Sequence, residues 1–179
     1  ICEPIVSVGL PRTGTTMLHR MIAADPENYS LLWGESRNPA PFAAPEDWLG
    51  SKERDPRILD AEAEVAAMLE GAPDLMAMHP LEAEGPDEEI MLLEHAFFST
   101  NPEAFVNVAE FGAWQDDQDQ TAGYRYLERL LKFLQWQKKQ RGEVARRWVL
   151  KSPHHLGFMD LLFKVFPDAR VMQTLSLKH

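Results

Sequence analysis

Ile5-Val-Ser-Val-Gly-Leu-Pro-Arg-Thr-Gly-Thr-Thr16, running on into Met17-Leu-His-Arg-Met-Ile22, is the stretch whose reading decides the fold. A short apolar run, a turn of glycine and threonine, and an apolar-periodic segment read as strand, phosphate-cradling loop and helix. The spacing Gly9-x-x-x-x-Gly14 matches the P-loop of nucleoside triphosphatases, but Thr15 stands where those enzymes carry lysine. The cation sits at Arg12 instead. Because the P-loop lysine serves the β- and γ-phosphates of a triphosphate, a loop that keeps the amide nest without it is expected to hold a different phosphorylated donor. Gly14 permits close backbone approach, the amides of Thr13 to Thr16 open a helix whose positive end faces an anion, and the threonine hydroxyls add further donors.

Around this stretch the pattern alternates. Residues 4–10 read as a parallel strand buried on both faces, and the helix after the loop is expected to bury Met17, Leu18, Met21 and Ile22 and to stop at Asp25-Pro26. From Trp33 to Pro56 the chain turns to proline, alanine, glycine and charge, which predicts a long irregular excursion of the kind that often serves as a lid or binding segment. Residues 58–70 and 87–98 read as helices, the second with Asp87, Glu88 and Glu89 complementing the dipole of its first turn. The longest helical pattern is 121–141, with Tyr124, Leu127, Leu131 and Leu134 on one stripe, a basic last turn and Gly142 as the stop. Residues 147–151 read as a second buried strand, Ser152-Pro153 as cap and first residue of a helix over 156–166, and 169–174 as a third strand. Strands separated by helices imply one α/β domain over 1–179 of the P-loop, three-layer type, with helices flanking a central parallel sheet. Ligands of such sheets bind beyond the carboxyl ends of the strands, which places Arg12 and Lys151 on one edge.

Composition limits the function classes. A chain of 179 residues with 45% hydrophobic content builds one domain with a real core. A net charge of -10 argues against a nucleic-acid partner, because that affinity comes from clustered Lys and Arg. The lone cysteine, Cys2, excludes an internal disulfide framework and a thiolate zinc site, and suits a reducing cytoplasm. No apolar run has the length of a transmembrane helix, and the amino end lacks the parts of a signal peptide. Starting at Ile1, just ahead of a buried strand, the sequence reads as a fragment lacking native residues at both ends. Oligomeric state is left open.

The loop, the glutamate of Trp33-Gly-Glu-Ser-Arg37 with prolines after it, the Leu150-Lys-Ser-Pro153 turn and Phe166-Pro-Asp-Ala-Arg-Val171 follow one another in that order. In this arrangement the chain resembles the sulfotransferase family, closest to the group of bacterial and tyrosylprotein sulfotransferases. The resemblance implies transfer of a sulfuryl group from the co-substrate 3′-phosphoadenosine 5′-phosphosulfate (PAPS) to a hydroxyl or amine of a small-molecule acceptor, without a metal. It implies that Arg12 neutralises the leaving oxygen, that Lys151 stabilises the sulfuryl oxygens, and that Glu35 takes the acceptor's proton. Arg12, Thr13, Gly14, Thr15, Thr16 and Ser152 would then bind the donor. The chemistry supports those assignments, since a loose, charge-dispersed transition state is stabilised by positioning and fixed cations. A carboxylate shielded by Trp33 and Pro39 has the setting of a base with a raised pKa. Cytosolic members use a histidine base, for which His79 is the stand-in.

Each of these residues also has a plainer reading. Glu35 can be a loop glutamate paired with Arg37, Lys151 a snorkelling strand-end lysine, and Ser152 first of all a helix cap. His154 and His155 either touch donor or acceptor or are merely exposed. The acids of 82–89 read as a solvated helix start before a cation site. Trp33, Phe42 and Trp48 either line an apolar acceptor pocket, favouring an apolar alcohol or lipid, or pack the excursion onto the sheet. After Val171 the family continues with a basic turn and a serine that bind the donor's 3′-phosphate; here Leu175-Ser-Leu-Lys-His179 lacks the arginine, and Ser176 and Lys178 do not keep the spacing. Two alternatives follow: a P-loop kinase or phosphatase, which lacks its lysine here, and an inactive remnant serving as an interaction module.

Overall fold

Ile5–Gly9 forms strand β1, buried from Val6 onward, at the centre of a four-stranded sheet. In the computed structural model, which describes residues 1–42, 55–74 and 79–175, the other strands are β2 (Asn28–Ser30), β3 (Arg147–Lys151) and β4 (Arg170–Thr174). Their order is β2-β3-β1-β4, and every pairing is parallel. The sequence pattern does not reveal β2, whose three residues bury only the side chain of Tyr29. Ser7 lies opposite Lys151 on one side and Met172 on the other, and Gly9 lies opposite Thr174. The carboxyl ends of β1, β3 and β4 therefore share an edge, as expected for a ligand-binding α/β sheet.

Helices cover the sheet: α1 (Thr15–Ala23), α2 (Trp33–Arg37), α3 (Pro56–Gly71), α4 (Ile90–Glu94), α5 (Asn101–Phe105), α6 (Ala109–Asp116), α7 (Thr121–Gln140) and α8 (Met159–Val165). The stripe read on α7 is the centre of the core. Tyr124, Leu127, Leu131 and Leu134 are completely buried with Val6, Trp148, Leu150 and Leu162. Each such side chain contributes about 1.5–3 kcal/mol by leaving water, so this seam anchors the fold. Gly142 ends the segment at φ 85, as its place after the basic turn implies.

Several local expectations are corrected. On α1 the buried side chains are Thr15 and His19, while Met17 and Met21 are exposed. The loop fixes Thr15 beneath its own turn, and one helical turn later His19 takes the sheet-facing position, rotating the methionines outward. Inside the proline-rich excursion Trp33–Arg37 is helical, closed by Glu35, whose carboxylate accepts from the Leu32 N–H at 3.1 Å. The helix read over 87–98 shrinks to α4, because residues before it are tied to the chain at 31–34. The Asp87 N–H donates to the Leu31 carbonyl, and the N–H groups of Trp33 and Gly34 donate to the carbonyls of Gly85 and Ala83. The helix read over 156–166 is split: a 3-10 turn, Pro153–Gly157, precedes α8, and Phe158 breaks between them at ψ 36. Trp48, Ser176 and Lys178 lie outside the described residues.

Candidate active site

The loop after β1 has the backbone of an anion cradle. Arg12 and Gly14 both adopt left-handed conformations, φ 68 and φ 87, which turns successive N–H groups toward one side. A non-glycine residue held there is strained, a feature that concentrates at functional sites. The first N–H groups of α1, from Thr15 on, have no acceptor within the helix and face the same space. Gly9 is required by close approach: a Cβ there would lie 2.4 Å from Thr174 Oγ1 and 2.9 Å from Thr13 Oγ1. Thr13 fixes the turn by donating to the Leu10 carbonyl at 2.7 Å and meeting the Thr174 hydroxyl at 2.7 Å, tying the loop to β4.

Beside the cradle runs a groove of about 930 Å³, lined by Arg12, Thr16, Met17, Met21, His79 and Glu88 among others. Lys151, at the end of β3, is 2% exposed and extends to the loop, with Nζ 3.4 Å from Thr16 Oγ1. Arg12 and Lys151 thus converge on the loop although they are distant in sequence. Lys151 Nζ also pairs with the Glu88 carboxylate. Burial pushes the Glu88 pKa up, and the neighbouring ammonium only partly offsets this. His79 Nε2 faces both Asp87 oxygens at 3.1 and 3.2 Å. Asp87 thereby orients the imidazole through Nε2. Arg20 of α1 holds this segment against the groove, donating to Glu82 and to the Pro80 carbonyl, each at 2.8 Å.

Under the groove a buried polar chain fixes the backbone of Lys151. The Lys151 N–H donates to Glu89 Oε2 at 2.8 Å, the other Glu89 oxygen pairs with His155 Nε2, and His155 Nδ1 meets the Tyr124 hydroxyl at 2.7 Å. Glu89, His155 and Tyr124 are all completely buried. Burial would raise the Glu89 pKa, but the hydrogen bond and charge of His155, with the Lys151 N–H, outweigh it and hold it below the usual carboxylate value. Burial together with the Glu89 charge pushes the Tyr124 hydroxyl up, so it keeps its proton, and burial pushes His154 down to about 4. Ser152 accepts from the His154 N–H at 3.2 Å and caps the 3-10 turn that brings both histidines inward; they are not the exposed pair of the plainer sequence reading.

The acids of 82–89 are only partly a solvated helix start: Glu82 and Glu84 are exposed, but Asp87 is 3% and Glu89 0% exposed. One signal pointed there: Glu89 lies three and four residues before Leu92 and Leu93, on the face that those leucines bury. Glu35 does not line the groove. Its Oε1 meets Lys138 Nζ at 2.7 Å, its Oε2 caps α2, and it lines a separate cavity of about 20 Å³ with Asp55, Arg57 and Arg141. Trp33 is buried and Phe42 exposed, so the aromatic residues of the excursion do not share one environment. Among the described residues no group of three or more His, Cys, Asp or Glu side chains is arranged to hold a metal ion, and no helix is long and apolar enough to cross a membrane.

Comparison with known proteins agrees with the loop. A family model described as the sulfotransferase family matches residues 4–175. The crystal structure of sulfotransferase STF1 from Mycobacterium tuberculosis H37Rv is similar at 32% identity and a TM-score of 0.76, over 98% of this chain and 46% of that one. Sulfotransferase STF9 from Mycobacterium avium is similar at 29% identity and a TM-score of 0.74, over 98% of this chain and 43% of that one. The chain therefore spans less than half the length of either structure. Among curated proteins nothing matches. A strand-loop-helix cradle with its cation at Arg12, a parallel sheet that brings Lys151 to the same edge, and a family match over nearly the whole chain lead to one conclusion: the chain belongs to the sulfotransferase family.

Proposed function

We propose that this chain carries the 5′-phosphate side of a donor site from which a sulfuryl group passes from PAPS to the hydroxyl, or amine, of a small-molecule acceptor. The observation that carries the reading is the convergence of the loop, with left-handed Arg12 and Gly14, and the buried Lys151 ammonium, which reaches Thr16 and Glu88 in the wall of one groove. The residues fit such a donor: the N–H nest and the threonine hydroxyls suit a phosphate, and any side chain at Gly9 would press on the turn that builds the cradle. The donor supplies a sulfuryl group already activated on a phosphate leaving group, and it has no γ-phosphate for magnesium to bridge. Thr13, Gly14, Thr15 and Thr16 would hold the 5′-phosphate, with Ser152 beside them at the β3 end. Arg12 would neutralise charge on the departing oxygen, and Lys151 would stabilise the sulfuryl oxygens as charge spreads over them. In balance, the acceptor oxygen bonds to sulfur, the bond from sulfur to the phosphate oxygen breaks with its electron pair leaving on phosphate, and the acceptor proton goes to a base.

For that base His79 fits better than Glu35. His79 lines the groove and is oriented by Asp87, whereas the Glu35 carboxylate is taken up by Lys138 and the Leu32 N–H. The exposed, free Cys2 fits the reducing cytoplasm expected of the composition. Calorimetry on the protein at its full encoded length tests the function. Adenosine 3′,5′-bisphosphate is expected to bind without magnesium, and Arg12→Ala to weaken it at least tenfold. No binding, or binding indifferent to Arg12, would sink the proposal, and magnesium-dependent ATP turnover would favour a kinase or phosphatase.

A further inference from the structure

A second cavity, of about 160 Å³, lies behind the wall of the groove, under Trp33, Met68, Leu81, Ile90, Met91 and Phe105. Its polar wall is partly shared: His79 and Glu88 line both this cavity and the groove beside the loop, while Asn101 lines the cavity alone. An apolar chamber therefore meets the cations and the candidate base through the side chains that would handle the acceptor's proton. We propose that this cavity holds the apolar body of the acceptor, an uncharged alcohol about one six-membered ring in size, with its hydroxyl between His79 and Glu88. The inference rests on the sulfotransferase reading of the groove.

Size and lining chemistry carry the choice. Apolar cavities of about 150 Å³ take a benzene-sized guest, and a long acyl chain or a fused-ring sterol needs several times that space. Among the described residues the wall offers the Glu88 carboxylate and no lysine or arginine, which disfavours an anionic body. Trp33, only 3% exposed, closes the cavity as an aromatic wall. Helix α3 supplies the half-buried Met68 and α5 the exposed Phe105, both replaceable without opening the core seam on α7.

The test compares 4-methylphenol, 1-dodecanol and cholesterol as acceptors for the protein at its full encoded length, with binding of adenosine 3′,5′-bisphosphate measured in parallel. The expected kcat/KM for 4-methylphenol is at least tenfold above the other two. Met68→Trp, which fills the cavity, and Phe105→Trp, at its exposed mouth, are expected to raise the KM for 4-methylphenol at least fivefold, with bisphosphate affinity kept within twofold. Saturation-transfer NMR should show 4-methylphenol binding to the wild type, weakened in both variants. Preference for the long chain or the sterol, or unchanged KM and NMR signal in both variants, overturns the inference while leaving the sulfotransferase reading intact. If Met68→Trp loses bisphosphate affinity through misfolding, Phe105→Trp decides alone. Failure of the wild type to bind the bisphosphate defeats the underlying reading instead.

Discussion

Two clusters of buried charge in this molecule use similar residues and reach opposite ends. In one, Glu35 meets Lys138 at 2.7 Å and Asp55 meets Arg57 at 2.6 Å, around a cavity of only about 20 Å³. Arg57 also donates to the carbonyls of Asn38 and Pro39, so this cluster fastens the first residues after α2 to α3 and α7. In the other, Glu88 and His79 line a groove of about 930 Å³ that also reaches the glycine-threonine loop, backed by the buried Lys151 and Asp87. A buried ion pair is therefore no sign of chemistry by itself, since breaking either would cost about 3–5 kcal/mol for the charge left behind. What separates the two is access: the first set spends its hydrogen bonds on closing the fold, and the second keeps a carboxylate and a histidine against open space, with the Lys151 ammonium paired just behind them.

The largest expected effect lies in the open cluster. Lys151→Ala removes a fixed cation from the developing sulfuryl charge, and kcat is expected to fall about 10³-fold, the scale of losing one preorganised charge donor. Steady-state kinetics check this; a fall in affinity alone, with kcat kept, would make Lys151 a binding residue only. A smaller and sharper contrast sets the two clusters against each other. Glu35→Gln is expected to cost about 3 kcal/mol in urea unfolding by stranding Lys138, with turnover per folded molecule within threefold of wild type. His79→Asn is expected to lose about 10²-fold in kcat with stability nearly unchanged. The reverse pattern would return the proton-acceptor role to Glu35.

The smallest effect concerns pH. The Glu89 carboxylate sits below its ordinary value of 4.5 in the folded chain, despite burial, because His155 and the Lys151 N–H hold its charged form. A depressed carboxylate contributes stability that is complete above the unfolded pKa and is lost as pH falls through the folded one. Wild type should therefore lose stability on acidification below about pH 4.5 more steeply than Glu89→Gln. Denaturant midpoints at pH 7 and pH 4 would show it. Equal slopes would mean that Glu89 does not carry the charge that fixes Lys151.

Much of the architecture was legible in the chain. The loop at Gly9–Gly14, the strands over Arg147–Lys151 and Arg170–Thr174 and the stripe on α7 all follow from short-range spacing. Short strands such as β2, and the turns of α5 and α6, carry too few periodic residues to be read. Burial of acids was the larger gap. Glu88 and Glu89 resemble a solvated helix start until the backbone of Ala83, Gly85 and Asp87 pairs with Leu31, Trp33 and Gly34 and turns them inward.

By itself the sequence determined the strand-loop-helix turn at Gly9–Gly14 and the parallel sheet, because these depend on glycine, threonine and apolar residues at fixed local intervals. Only the tertiary structure decided which charges face the groove. Glu35 was withdrawn by Lys138 from the far end of α7, and Glu89 was drawn under Lys151 by His155, pairings across 103 and 66 positions that no local pattern encodes. Burial sets the energy of a charge, and burial is a property of the packed chain.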